Sequence, residues 1–174
     1  KVKALKVGDP LDPSSNMGSM ISKKHLSTVD GFIQKGMDEG AKLLLGGVSE
    51  KNQKGFYAKP TLFDNLDENM TIAQEEIFGP VLGILTFSDE EEALKIASNS
   101  KYGLWASVFT QDINKAFYFA KNLPCGTVSV NTFSEGDIKT PFGGYKQSGS
   151  LSRDQGTEAL NQYLQTKTIW ISHS

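Results

Sequence analysis

The chain has 174 residues, 38% of them hydrophobic and 22% charged, enough to bury a real core and unlike a disordered or fibrous protein. Its formal charge of −2 is spread along the chain, with no basic stripe for nucleic acid and no polybasic patch for a membrane surface, so neither partner is expected. The longest apolar run is far short of the roughly 20 residues of a membrane helix, and Lys1-Val2-Lys3-Ala4-Leu5-Lys6 contains no apolar signal core, so the expected location is cytoplasmic.

The first periodic element follows Ser22, a plausible N-cap. Leu26, Val29, Ile33 and Met37 fall at helical spacing over residues 23–39, and Gly40 is placed to stop the helix. Residues 42–45 read as a short apolar strand closed by Gly46-Gly47. Residues 55–63 read as extended, with Pro60 arguing for an edge or irregular strand. Residues 70–75 allow one helical turn. An apolar strand over 81–87 follows, and Ser88 with Glu91 forms a capping box for a helix through Ser98 that turns Ala93, Leu94 and Ala97 inward.

A strand is expected at 105–110. Asp112 then caps a helix in which Ile113, Ala116, Phe117 and Ala120 make one apolar face. Residues 127–131 form a β-branched strand, so the chain from Val81 onward alternates β, α, β, α, β. That alternation predicts an α/β fold with a mainly parallel sheet covered by helices. The large apolar groups of strands 81–87 and 105–110 suit burial on both faces. A loop over 132–152 precedes a last helix carrying Ala159, Leu160, Tyr163 and Leu164. Residues 166–172 read as a terminal edge strand, paired either within the subunit or with another chain.

The stretch Gln74-Glu75-Glu76-Ile77-Phe78-Gly79-Pro80-Val81 puts two carboxylates and a Phe on the turn into a strand, where α/β proteins build sites; solvated surface is the plainer alternative. Phe142-Gly143-Gly144-Tyr145-Lys146-Gln147-Ser148-Gly149 has neither Walker-loop nor dinucleotide-fingerprint spacing. It reads as a rigid loop whose small residues permit close backbone approach. The single cysteine, Cys125, lies between Pro124 and Gly126 in a turn, without an activating base, and suits a reducing compartment. With His25 and His173 as the only imidazoles, no metal-ligand spacing and no Ser-His-Asp set exist.

Taken together, these strings resemble the aldehyde dehydrogenase superfamily. Glu39-Gly40-Ala41-Lys42-Leu43-Leu44-Leu45-Gly46-Gly47, Pro60-Thr61-Leu62-Phe63, Glu75-Glu76-Ile77-Phe78-Gly79-Pro80-Val81, Gly126-Thr127-Val128-Ser129-Val130-Asn131 and Pro141-Phe142-Gly143-Gly144-Tyr145-Lys146-Gln147-Ser148-Gly149 carry the likeness, with Val7-Gly8-Asp9-Pro10 and Ser100-Lys101-Tyr102-Gly103-Leu104. They stand in the family's order along nearly the whole chain. The resemblance implies most of the family's catalytic domain over residues 1–165, Rossmann-like in its α/β layering, and a possible oligomerisation strand over 166–174.

It also implies that the nucleophilic cysteine, the general-base glutamate, the oxyanion asparagine and the dinucleotide-binding domain lie upstream of Lys1. On that reading the chain is a fragment, inactive alone, of an NAD- or NADP-dependent oxidoreductase. In that chemistry a thiolate attacks the aldehyde, hydride passes to the nicotinamide and water releases the acid. By resemblance Glu76 matches a ribose-binding carboxylate, Phe78 an aromatic beside the nicotinamide, and Phe142 an aromatic wall of the aldehyde tunnel. Glu135 and Asp137 fall in the segment that shapes substrate choice, and would favour a cationic amino-aldehyde unless they merely face solvent at the rim. That segment and Lys167-Thr168-Ile169-Trp170-Ile171-Ser172 resemble the branch acting on polyamine-derived aldehydes, γ-glutamyl-γ-aminobutyraldehyde in particular. A homo-oligomer joined by the terminal strand is the expected assembly, and a non-enzymatic assembly module is the competing reading.

Two departures from the family pattern stand out. Ser19 replaces a common proline, and Ser148-Gly149-Ser150-Leu151-Ser152-Arg153-Asp154 is one residue longer than usual.

Overall fold

Ser22 begins the first helix as its sequence requires: it is extended, and its side chain accepts the backbone N–H of His25 at 3.1 Å. The computed structural model describes residues 1–50, 54–133, 136–149 and 152–173. These form two compact units, Lys1–Asp89 and Glu90–Ser174.

In the first unit, helix α1 (Lys23–Asp38) buries Leu26, Val29, Ile33 and Gly36 along one face. It ends at Gly40, whose φ of +93° favours glycine, with the N–H groups of Gly40 and Ala41 returned to the carbonyls of Met37 and Gly36. Strands β1 (Lys42–Leu45) and β2 (Thr61–Asp64) pair antiparallel through a bulge, and β3 (Val81–Gly83) lies parallel to β2, giving the order β1-β2-β3. Thr61 and Phe63 point into the core while Leu62 and Asp64 are half-buried, the alternation of a strand with one packed face. Phe63 meets Leu26, Val29, Ile33, Ala41, Ala58 and Ile72 in one cluster. Helix α2 (Thr71–Gln74) is the single turn expected.

The strand expected to reach Phe87 stops at Gly83. Its partner β2 ends at Asp64 and Asn65 turns away with φ +55°, so beyond Gly83 the pairing is reduced to Ile84 N–H on the Phe63 carbonyl and Leu66 N–H on the Ile84 carbonyl. Leu82, Ile84 and Phe87 are exposed, so the two-sided burial expected of this strand is not supplied within the described residues.

In the second unit, α3 (Glu90–Ser98) and β4 (Tyr102–Gly103) lead into β5 (Trp105–Val108), α4 (Ile113–Asn122) and β6 (Thr127–Val130). β5 and β6 are parallel and in register from Trp105 opposite Thr127 to Val108 opposite Val130, as the β-α-β alternation predicts. The ladder ends early because Asn131, at φ +57°, substitutes its side chain for a strand. Its Oδ1 accepts Thr110 N–H and its Nδ2 donates to the Thr110 carbonyl, each at 2.9 Å. Asp112 caps α4 through the N–H groups of Asn114 and Lys115. β4 pairs antiparallel with a short β7 (Tyr145–Lys146) inside the expected loop.

Four expectations change here. On α4 only Ala116 is buried; Ile113 and Phe117 are 65% and 58% exposed, and Ala120 is exposed, because only the Ala116 side faces the strands. On α3, Ala93 and Leu94 are half-buried and Ala97 is exposed. The last α-helix is instead a 3-10 helix, Thr157–Tyr163, with Leu160 and Tyr163 exposed; an amphipathic segment whose apolar face finds nothing to pack on lacks the main support of an α-helix. Residues 166–172 form no strand with any described segment, and Ile169, Trp170 and Ile171 stand in solvent.

Candidate functional site

The turn that carries Glu76 and Phe78 is fixed at both ends. Upstream, the Glu39 carboxylate receives the Thr71 N–H at 2.7 Å and the Thr71 hydroxyl at 2.6 Å, anchoring the start of α2, and these two bonds hold the carboxyl below its ordinary range. Downstream, Thr61 N–H donates to the Pro80 carbonyl at 2.8 Å, and Val81 joins β2. Between them Ile77 packs on the core cluster, while Glu75, Glu76 and Phe78 face outward, Phe78 with 76% of its surface exposed. Phe78 holds φ at +54°, a left-handed conformation uncommon for a bulky residue.

Two contacts from α1 secure that conformation. His25 Nε2 lies 2.8 Å from the Phe78 carbonyl oxygen, and Gly79 sits so close to Val29 that a Cβ there would come within 2.7 Å of a Val29 methyl. The His25 contact has no signal in the sequence beyond an imidazole in the first turn of a helix whose next turn buries Val29.

In the second unit, the Phe142 ring lies 6.4 Å from that of Trp105, tilted by 47°, and the Trp105 indole N–H donates to Ser129 Oγ at 2.8 Å. Phe142 also exchanges two backbone hydrogen bonds with Asp154, each 2.7 Å. The glycines beside it allow the close approach expected of this loop: a Cβ at Gly126 would lie 1.6 Å from the Gly143 carbonyl oxygen. Asp137 is exposed, and its Oδ1 accepts Lys139 N–H at 2.8 Å, so the carboxylate shapes its own turn as well as facing solvent. Glu135, like Ser150 and Leu151 of the lengthened motif, lies outside the described residues.

Cys125 is half-buried and its thiol donates to the Thr127 carbonyl at 3.3 Å; burial pushes the thiol up, away from the thiolate a nucleophile needs. Among the described residues no cluster of His, Cys, Asp or Glu could hold a metal, and no helix is long and apolar enough to cross a membrane. An open groove of about 480 Å³, lined by Glu90, Glu91, Asn114, Lys115 and Tyr118, contains none of the expected site residues.

An α/β scaffold with an exposed carboxylate and an exposed ring on the turn into a parallel strand has the construction of a ligand-binding α/β domain. The comparisons with known proteins narrow the class. The sequence pattern described as the aldehyde dehydrogenase family matches residues 1–169, and the chain belongs to that family. Cytosolic 10-formyltetrahydrofolate dehydrogenase of Xenopus tropicalis is 46% identical over 175 residues, covering 99% of this chain and 19% of the relative. 4-Trimethylaminobutyraldehyde dehydrogenase A of Danio rerio is 42% identical over 176 residues, covering 98% and 34%. The crystal structure of a Mycobacterium tuberculosis aldehyde dehydrogenase complexed with NAD+ matches with a TM-score of 0.89 at 44% identity, covering 94% of this chain and 34% of that one. The chain therefore spans 19–34% of the length of these relatives.

Proposed function

We propose that this chain forms part of an NAD- or NADP-dependent aldehyde dehydrogenase that oxidises an aldehyde to a carboxylic acid, and that it is inactive alone. The observation that carries the reading is the outward pair on one pinned turn, Glu76 and the 76% exposed Phe78. The pair suits a nicotinamide nucleotide: a carboxylate offers acceptor oxygens to paired ribose hydroxyls, and a ring offers a flat apolar face. When bound, the nicotinamide would supply the hydride acceptor. Glu76 orients the ribose and Phe78 supports the ring beside it. Phe142, backed by Trp105, walls the aldehyde's path. Cys125 is not assigned the nucleophile's role, since its thiol proton is committed to a backbone carbonyl in a half-buried turn.

For the substrate we favour an aldehyde with a cationic far end, such as one from polyamine breakdown. Support comes from the exposed Asp137, from Glu135 in the same segment, and from a relative named for 4-trimethylaminobutyraldehyde, whose trimethylamino group is cationic. A cytoplasmic setting suits a chain with a single, unpaired cysteine. In the complete enzyme, Glu76→Gln is expected to weaken NAD+ binding about tenfold by calorimetric titration, from the loss of charge-assisted hydrogen bonds. Unchanged affinity would refute the assignment. Asp137→Ala in the same enzyme is expected to lower kcat/KM for amino-aldehydes relative to uncharged aldehydes, and an unaltered preference would remove the substrate reading alone. The assembly-module reading draws on a different observation, the exposed apolar tail at Ile169, Trp170 and Ile171.

A further inference from the structure

The hydrogen bond from α1 to the Phe78 carbonyl gives a role to a side chain that the proposed chemistry leaves unused. A carbonyl oxygen only accepts, so His25 Nε2 is the donor in the 2.8 Å contact, as in the tautomer that leaves Nδ1 an acceptor. The surroundings agree with that tautomer. Nδ1 is buried and meets no hydrogen-bond partner among the described residues, a state better tolerated by an acceptor than by an N–H. The His25 and Phe78 rings lie 6.1 Å apart, tilted by 41°, and Phe78 keeps 76% of its surface exposed beside the imidazole.

Phe78 needs such a restraint. Its φ of +54° is strained for an aromatic residue and persists only where neighbours hold it. Val29 closes one side by packing on Gly79, and His25, one helical turn earlier on the same face of α1, holds the carbonyl. Removing that bond frees the peptide between Phe78 and Gly79 to rotate, and the ring with it. A ligand binding on the ring would then pay for ordering the turn.

We propose that His25 is a positioning residue for the nicotinamide nucleotide: its Nε2–H holds the Phe78 carbonyl and so presents the Phe78 ring ready for binding. The inference rests on the reading of Phe78 as the aromatic beside the cofactor. The complete enzyme, titrated with NAD+ by calorimetry, tests it together with kcat, KM and the melting temperature. His25→Ala is expected to raise the Kd for NAD+ about threefold to tenfold, the range of one lost hydrogen bond. KM for NAD+ rises in parallel, kcat changes less, and Tm stays within about 2 °C. His25→Gln, whose amide can donate to the same oxygen, is expected to recover binding to within about twofold of the parent.

A parental Kd in His25→Ala, with Phe78→Ala weakened, overturns the inference and leaves the Phe78 reading standing. Failure of His25→Gln to recover binding overturns it as well. A parental Kd in Phe78→Ala removes the reading beneath it. Should His25→Ala fail to fold, His25→Leu, which keeps the bulk and lacks the donor, takes its place.

Discussion

A methyl group added at Gly79 would lie 2.7 and 2.9 Å from the two methyls of Val29, a side chain with no exposed surface. Val29 cannot yield, because it is locked among Leu26, Ile33 and Phe63 in the core cluster. The turn has to move instead. Gly79→Ala is therefore expected to destabilise the first unit by about 1–3 kcal/mol, read as a lower denaturant midpoint, and to displace Phe78 so that NAD+ binds more weakly to the complete enzyme. Parental stability would mean that Gly79 serves only the turn. The sequence marks Gly79-Pro80 as a turn but not as a contact, because what Gly79 touches lies fifty residues earlier on α1. Glu76 and Phe78 could be singled out as a pair for the opposite reason: their motif is local, and it is one of the strings that carry the resemblance to the family. Asp137 was readable as a charge, while its bond to Lys139 N–H, which commits part of that carboxylate to the loop, emerges only from the backbone.

Among the elements, α2 shows how the site is supported from outside itself. It has four residues, and Met70 at its N-cap offers no side-chain acceptor. The missing cap comes from Glu39, at the end of α1, which takes both the N–H and the hydroxyl of Thr71. These bonds hold the Glu39 carboxyl below its ordinary value. A lowered carboxyl stabilises the folded state above the ordinary glutamate pKa, and that contribution is lost as pH falls through the folded value. Acidification is therefore expected to lower the exchange protection of the Thr71 and Ala73 amides, relative to their intrinsic rates, before the core of α1 opens, and Glu39→Gln should remove this pH dependence of the protection. An exchange rate at Thr71 that follows pH identically in both forms would rule out the cap. Helix α1 was legible from sequence, from its cap at Ser22 to its stop at Gly40, whereas for α4 the span and cap were legible but the buried face was not. The strand at 81–87 was not, since its length depends on β2 ending at Asp64, a non-local fact.

At the scale of the molecule, the apolar side chains are shared unequally. The core cluster of Leu26, Val29, Ile33, Ala41, Ala58, Phe63 and Ile72 lies wholly in the first unit. Among the described residues of the second unit the buried hydrophobic side chains are Ala116 and Leu123, while Phe109, Ile113, Phe117 and Trp170 are exposed. Apolar patterning predicted Phe109, Ile113 and Phe117 to be inside and Trp170 to lie on an unprotected edge; the pattern specifies an apolar face without naming what covers it. For α4 the sequence offers no partner. For the tail it does: Thr168-Ile169-Trp170-Ile171 is β-branched and aromatic, makes no strand with the described chain, and leaves Trp170 93% exposed, the condition in which a strand adds to another copy's sheet edge. If these residues join subunits, Trp170→Ser in the complete enzyme should shift sedimentation velocity towards smaller species. The shift should grow on dilution, and the melting of the first unit should be unaffected, because Trp170 contributes nothing to its core. Deleting residues 166–173 should act in the same direction and more strongly, since it also removes the backbone donors and acceptors that strand addition uses. An unchanged oligomer in the deletion variant would show that the tail's apolar residues serve some other surface, and would remove the main support for the assembly-module reading.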